Sequence, residues 1–310
     1  MSKYNIDAQF KIFSLWKPPT NTKLLPFINI LLSIMQPRSN KSIVIKKTYV
    51  MTENQVNIPV YIFKPRKCFC EKLPCLLNFH GGGFMTKASP VHFARAIEYA
   101  KKLSCIVIMP DYRLLPKHTF PIPSNDCFAV YKWILDNEKS LNIDLRKFVV
   151  MGDSAGGALC MGTMLRARDY NLKMPKFQLL IYPMADRKQK SESCKIFTDT
   201  PVWNSKLNAF AWKLCFNNVH DFSNTEYISP LDASSFHNIP STYIEVADID
   251  CLRDEGIELA QKLESAGVKT ELVKTKNTPH GYDCATKSKT TKKMMKHRIE
   301  LLLKEFSNIN

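Results

Sequence analysis

The chain has 310 residues, 45% hydrophobic and 23% charged, which is length enough for a sizeable core and an ordinary balance for a globular protein. Lysine and arginine number 44 against 28 acidic residues, a formal charge of +16 that permits anionic partners without specifying a fold. No repeat or low-complexity tract is visible, and the first residues lack the basic and continuous apolar regions of a secretory signal.

Residues 1–36 read as two helices. Ile6, Phe10, Phe13 and Trp16 share one helical face before Pro18 and Pro19 break the chain, and Ile28, Leu31, Leu32 and Met35 repeat the pattern. Pro26 suits the first turn of the second helix and keeps the stretch 24–35 from spanning a bilayer, so no stable membrane insertion is expected. From Ser42 the period changes. Residues 43–51 and 56–63 read as two strands joined by a polar turn, an antiparallel hairpin. A strand over 74–79 ends in His80-Gly81-Gly82-Gly83-Phe84. A helix near 91–103, a strand over 105–109 and a helix near 124–138 follow.

The apolar run 147–151 then meets Gly152-Asp153-Ser154-Ala155-Gly156-Gly157 and a helix over 155–168. Glycines flanking a serine between strand and helix give the sharp turn of a nucleophile elbow. Beyond it come a strand over 177–182, an irregular region over 184–226 and a strand over 242–247. A helix over 252–266, a strand over 270–274, the loop with His280 and a long C-terminal helix complete the chain. Alternating strands and helices imply a doubly wound, mostly parallel sheet with ligands at the strands' carboxyl ends. Ser154, the loop 80–83, Asp248, Asp250 and His280 all fall there.

A serine hydroxyl needs a base. Among seven histidines, His280 sits in a Pro-His-Gly loop after the last strand. His92 and His297 fall within helices as packed or solvated residues, and His80 orders its glycine loop. The acid that fixes the base comes from Asp248, Asp250 or Asp254. The glycines at 81–83 free backbone N–H groups to face a developing oxyanion. Ten cysteines are scattered, several inside expected strands and helices (Cys75, Cys105, Cys160), as reduced cytoplasmic thiols would be. Cys68, Cys70 and Cys75 cluster without a matching ligand pair and read as part of a surface hairpin loop, not a metal site.

The motifs His80–Phe84, Asp111–Pro116, Gly152–Gly157, Tyr182-Pro183, Ser229–Asp232, Asp250–Gly256 and His280–Tyr282 keep an order and spacing that resemble the hormone-sensitive lipase family of α/β-hydrolases. The resemblance covers roughly residues 40–285. It implies an α/β-hydrolase fold with a helical cap, as one domain over 1–310 whose cap comes from about 1–41 and 184–226. It implies ester hydrolysis by Ser154, His280 and Asp250 through an acyl-enzyme; a cap that limits pocket length, together with the lack of a secretion signal, points to short to medium acyl esters. Gly82, Gly83 and Ala155 would be the oxyanion donors, with no metal or organic cofactor. Asp250 suits the acid's role because it leaves a strand end just before a helix, and Ser154, Asp250, His280 is this class's chain order.

Lys117 stands where the family usually has Glu, Cys251 where it often has Pro, and Tyr282 where it often has Phe. The expected partner is a small-molecule ester. Self-association is allowed, and nucleic acid is excluded for want of a module signature. Two alternatives keep the scaffold: a non-catalytic receptor, which in the gibberellin receptors lacks the histidine, and a membrane-surface lipase or deacetylase. For the latter the signal is the basic run Lys287, Lys289, Lys292, Lys293, Lys296 and Arg298. The competing expectation is a solvated helix with Met295, Ile299, Leu302 and Phe306 on the core.

Overall fold

The computed structural model describes residues 3–15, 22–67 and 71–307. Strands β1 (Ile43–Met51) and β2 (Asn57–Pro65) form the expected hairpin, running antiparallel from Ile43 opposite Pro65 to Met51 opposite Asn57. The remaining strands are β3 (Leu73–Phe79), β4 (Ile106–Pro110), β5 (Ile143–Asp153), β6 (Phe177–Ile181), β7 (Ser241–Ile249) and β8 (Thr270–Pro279). Among the described residues they make one eight-stranded sheet in the order β1-β2-β4-β3-β5-β6-β7-β8. β2 alone runs against the direction of the other seven.

β4 and β6 are buried at every position, as continuous apolar runs covered on both faces must be. Alternate side chains serve opposite layers. Leu77, Val150, Leu180 and Ile244 pack on one face beneath α3 (Ile122–Asp136), α5 (Ala155–Asp169) and α8 (Arg253–Ser265). Leu76, Val149, Leu179 and Tyr243 pack on the other beneath α2 (Pro90–Lys102) and α9 (Lys289–Ser307). From β3 the chain steps outward to β4 and returns to β5 on β3's other side. That reversal leaves a crevice beyond the carboxyl ends of β3 and β5, where a ligand can enter.

The N-terminal segment departs from expectation. Its first element is a 3-10 helix, Ala8–Leu15, that seats Phe10 in the core edge-on to Tyr282; Trp16, Pro18 and Pro19 lie outside the described residues. α1 (Leu25–Ile34) starts with Pro26 in its first turn, but the expected apolar face is only partly covered. Ile28 and Leu32 are half-buried, whereas Leu31 and Met35 are exposed, together with Phe27, Ile30 and Ile34. The reason is what the helix rests on. Asn29 Nδ2 donates to the Met85 carbonyl (2.9 Å) and its Oδ1 accepts from the Lys87 N–H (2.9 Å), so α1 lies on a loop instead of the sheet.

The stretch 184–226 holds two short helices, α6 (Glu192–Ile196) and α7 (Ser205–Cys215), capped by Ser191 and Asn204. A single turn, α4 (Glu138–Leu141), leads into β5. In α9 the apolar face is as expected, but Arg298 is not solvated: it is 2% exposed. Lys117 is exposed and Cys75 is buried in β3, while Cys68 and Cys70 lie outside the described residues. No described helix is long and apolar enough to cross a membrane.

Candidate active site

Ser154 sits between β5 and α5 at φ 55°, ψ −122°, backbone angles that cost a non-glycine residue energy and persist only where surroundings impose them. They are imposed by close approach. A methyl group at Gly156 would lie 2.0 Å from the Phe79 carbonyl oxygen, so only glycine lets α5 start against the end of β3. The Ser154 N–H donates to the Ile181 carbonyl at 2.9 Å, fixing the turn to β6.

Three of the expected residues meet here. His280 Nε2 is 2.8 Å from Ser154 Oγ, and its Nδ1 is 2.6 Å from Asp250 Oδ2. All three are buried. Asp250 Oδ1 accepts the Leu252 N–H at 3.0 Å, which aims the other oxygen at the ring. Two carboxylates stand apart. Asp248, which belongs to β7 itself and not to the loop after it, bonds Lys274 Nζ at 3.1 Å and the Asn277 N–H at 3.2 Å. Burial raises its pKa, but those two partners outweigh it and hold the carboxyl below the usual range. Asp254 receives the Ser193 N–H at 2.7 Å and pairs with Arg253.

The glycine loop faces the same point. Gly82 and Gly83 have φ 116° and 61°, and a side chain at 83 would meet the Trp203 indole at 2.5 Å. The Gly81 N–H is taken by Asp153 Oδ2 at 3.1 Å. Among the described residues no acceptor takes the N–H of Gly82, Gly83 or Ala155, so these stay available to an anion at Ser154. His80 is buried, stacked on Tyr112 at 4.4 Å, with Nδ1 2.8 Å from the Gly81 carbonyl. Burial, with His92 nearby, lowers its pKa to about 4, so it stays neutral and orders the loop. A hydroxyl, imidazole and carboxylate in this line can pass a proton, with donors placed for an oxyanion.

Some participants are not evident from sequence. His92, on α2, reaches Asp153 Oδ2 at 3.3 Å and is neither a solvated nor a purely packed residue. Burial lowers its pKa, but Asp153, with Asp283 beyond it, outweighs burial and holds the ring above its ordinary value. Trp203, from the irregular region, covers Gly83 with its ring centre 6.1 Å from that of His280. Its neighbour Val202 holds φ 67°, an outlier for a β-branched residue. Only the spacing of His92 from the glycine loop could have flagged it; nothing local flags Trp203. Among the described residues no cluster of three or more His, Cys, Asp or Glu side chains is arranged to hold a metal ion.

Residues 76–283 match a family described as having the alpha/beta hydrolase fold. The Esterase LipI of Mycobacterium tuberculosis is 34% identical over 210 residues, 67% of this chain; the match spans 65% of LipI, just under two thirds. The Carboxylesterase NlhH of the same organism is 30% identical over 240 residues, covering 77% of this chain and 75% of that protein. Among solved structures, a bacterial heroin esterase superposes with a TM-score of 0.90 at 28% identity, over 97% of this chain and 98% of that one.

Proposed function

Because this chain belongs to the α/β-hydrolase fold family, on the hormone-sensitive lipase branch whose motifs it carries, we propose that it hydrolyses short to medium acyl carboxylic esters through Ser154, His280 and Asp250. The observation that carries the reading is the unbroken line from Ser154 Oγ through His280 to Asp250, at 2.8 and 2.6 Å. Its relatives are named esterases, which supports the same reaction class.

His280 Nε2 takes the hydroxyl proton as Ser154 Oγ attacks the ester carbonyl. Asp250 holds the ring with Nδ1 protonated and stabilises the imidazolium that forms. The carbonyl oxygen, now negative, is met by the N–H groups of Gly82, Gly83 and Ala155 at the start of α5, whose positive end adds to the field. The imidazolium protonates the departing alcohol, leaving an acyl-Ser154. Water, deprotonated by His280, reverses the sequence and frees the acid. Asp153 keeps the Gly81 N–H occupied and so decides which loop donors remain for the oxygen.

About 1–41 and 184–226 serve as the cap. Trp203 supports this, because its indole lies on the oxyanion loop, where it would limit the depth open to a long acyl chain. Seven buried cysteines without disulfides suit a reducing, cytoplasmic setting. An aryl phosphonate should label Ser154 covalently, and a panel of 4-nitrophenyl esters from acetate to octanoate should be cleaved best at short to medium length. Labelling at another serine, or equal hydrolysis by Ser154→Ala, refutes the mechanism.

A further inference from the structure

Besides its two hydrogen bonds, the His280 ring is flanked by two aromatic side chains, the Trp203 indole and a phenol. The phenol is itself anchored. The Tyr182 ring packs edge-on against the imidazole, with centroids 4.7 Å apart and planes at 62°. Tyr182 directly follows β6, at φ 36°, with its N–H held by the Glu245 carbonyl at 2.5 Å. Its hydroxyl donates to Asp283 Oδ1 at 2.5 Å.

Asp283 lies three residues beyond His280 and is gripped from two more elements. Arg298 of α9 donates to Oδ2 at 2.8 Å, and Arg95 of α2 donates to the Asp283 carbonyl at 2.6 Å. Arg298 is itself locked to β7, with Nη2 2.5 Å and Nε 3.0 Å from the two Glu245 oxygens. Tyr282 and Tyr243 also donate to that carboxylate. This is a costly construction. A 2%-exposed guanidinium between two carboxylates is worth its desolvation only when every partner is in place. An aliphatic side chain would fill the same space at less risk, so the network's value lies in geometry more than in stability.

We infer that Tyr182, Asp283 and Arg298 form a positioning relay that holds the His280 imidazole in the plane needed for proton transfer to and from Ser154. The relay touches no reacting atom and acts through His280, so it rests on the proposed role of that residue. Its members differ from ordinary core residues in one respect: loosening them should slow chemistry in molecules that are otherwise folded and bind substrate normally.

The test uses the full-length protein with Tyr182→Phe, Asp283→Asn and their double variant, with rates normalised to phosphonate-titrated sites. Each single variant should lower kcat about 10- to 50-fold with KM within about threefold, since truncating the relay leaves binding surfaces alone. The double variant should be no more than about threefold worse than the weaker single, because both cut one chain. Arg298→Lys should keep more activity than Arg298→Met. Folded single variants with kcat within twofold of wild type, or losses that multiply in the double, overturn the relay. If Arg298→Met does not fold, the two tyrosine and aspartate variants still decide. Wild-type protein that cleaves no ester and takes no phosphonate would instead remove the esterase reading, a different outcome from a relay that fails in an active enzyme.

Discussion

The loop behind His280 and the segment proposed as its cap are built on opposite principles. Behind, a strand, two helices and the residue after β6 meet in charge-assisted hydrogen bonds around Asp283 and Arg298, with almost nothing exposed. In front, α1 keeps Phe27 at 69% and Ile34 at 74% exposed and is tied to the loop 84–87 through Asn29. Side-chain order near the reacting atoms is enforced where misplacement is most costly. A cap, as proposed for this segment, would have to admit and release molecules, which suits fewer fixed contacts.

The first way to break the comparison is to remove the group at its centre. Ser154→Ala or His280→Ala should each lower kcat by ~10⁵–10⁶, and the double variant should be hardly worse, because the pair shares one proton. Single-turnover measurements under saturating ester would decide it; losses that multiply would mean that the two residues act separately. Next in size is the acid. Asp250→Asn keeps the shape but favours the wrong histidine tautomer, costing ~10³–10⁴ in kcat. Asp248→Asn, which only loosens the tie between β7 and β8, should cost at most about tenfold. A large loss at 248 with a small one at 250 would move the acid back into β7.

Much of this was legible in the sequence, for local reasons. A G-x-S-x-G after an apolar run encodes its own turn, and Ser154, Asp250 and His280 each lie where a strand ends, so a parallel sheet must bring them to one rim. Other parts are tertiary facts with no local trace. Arg298 sits in a lysine-rich run with Lys292, Lys293 and Lys296, and nothing adjacent distinguishes the one buried cation from the solvated ones; its partners are 15 and 53 residues away. α1 misled in the other direction. Its periodicity is apolar, but periodicity states that a face could be buried, not that the chain supplies a surface to cover it. Trp203 falls in a stretch with no period at all.

On the cap side, Trp203 is the place to press. Its indole fills the space over Gly83, so Trp203→Ala should enlarge the room for the substrate; it also removes a ring beside His280 but leaves both hydrogen bonds of that imidazole in place. The ratio of kcat/KM for octanoate over acetate should rise about tenfold or more, the scale of a few methylenes in an apolar pocket. Phosphonate labelling at an unchanged rate would show that the chemistry persists. A chain-length profile identical to wild type would mean that another wall sets the limit.

The smallest effect concerns the residue where the two regions join. Glu255 of α8 is 1% exposed; its Oε1 accepts the Ala185 N–H at 2.7 Å, at the base of the cap segment, while Oε2 has no partner among the described residues. Burial, reinforced by Cys194, pushes its pKa well above that of a free carboxyl, and the Ala185 N–H only partly opposes this. The sign follows from proton counting. Above the unfolded pKa of about 4.5 the unfolded chain has released the proton while the native protein keeps it. Stability from this group is therefore complete below about pH 4.5 and is lost as pH rises towards the raised native value. Glu255→Gln keeps the acceptor for Ala185 and removes the titration. The variant should match wild type in thermal midpoint near pH 4.5 and exceed it by ~2 °C or more at pH 8. A difference that is constant across that range would show that Glu255 is ionised in the native protein, with its charge balanced by a neighbour.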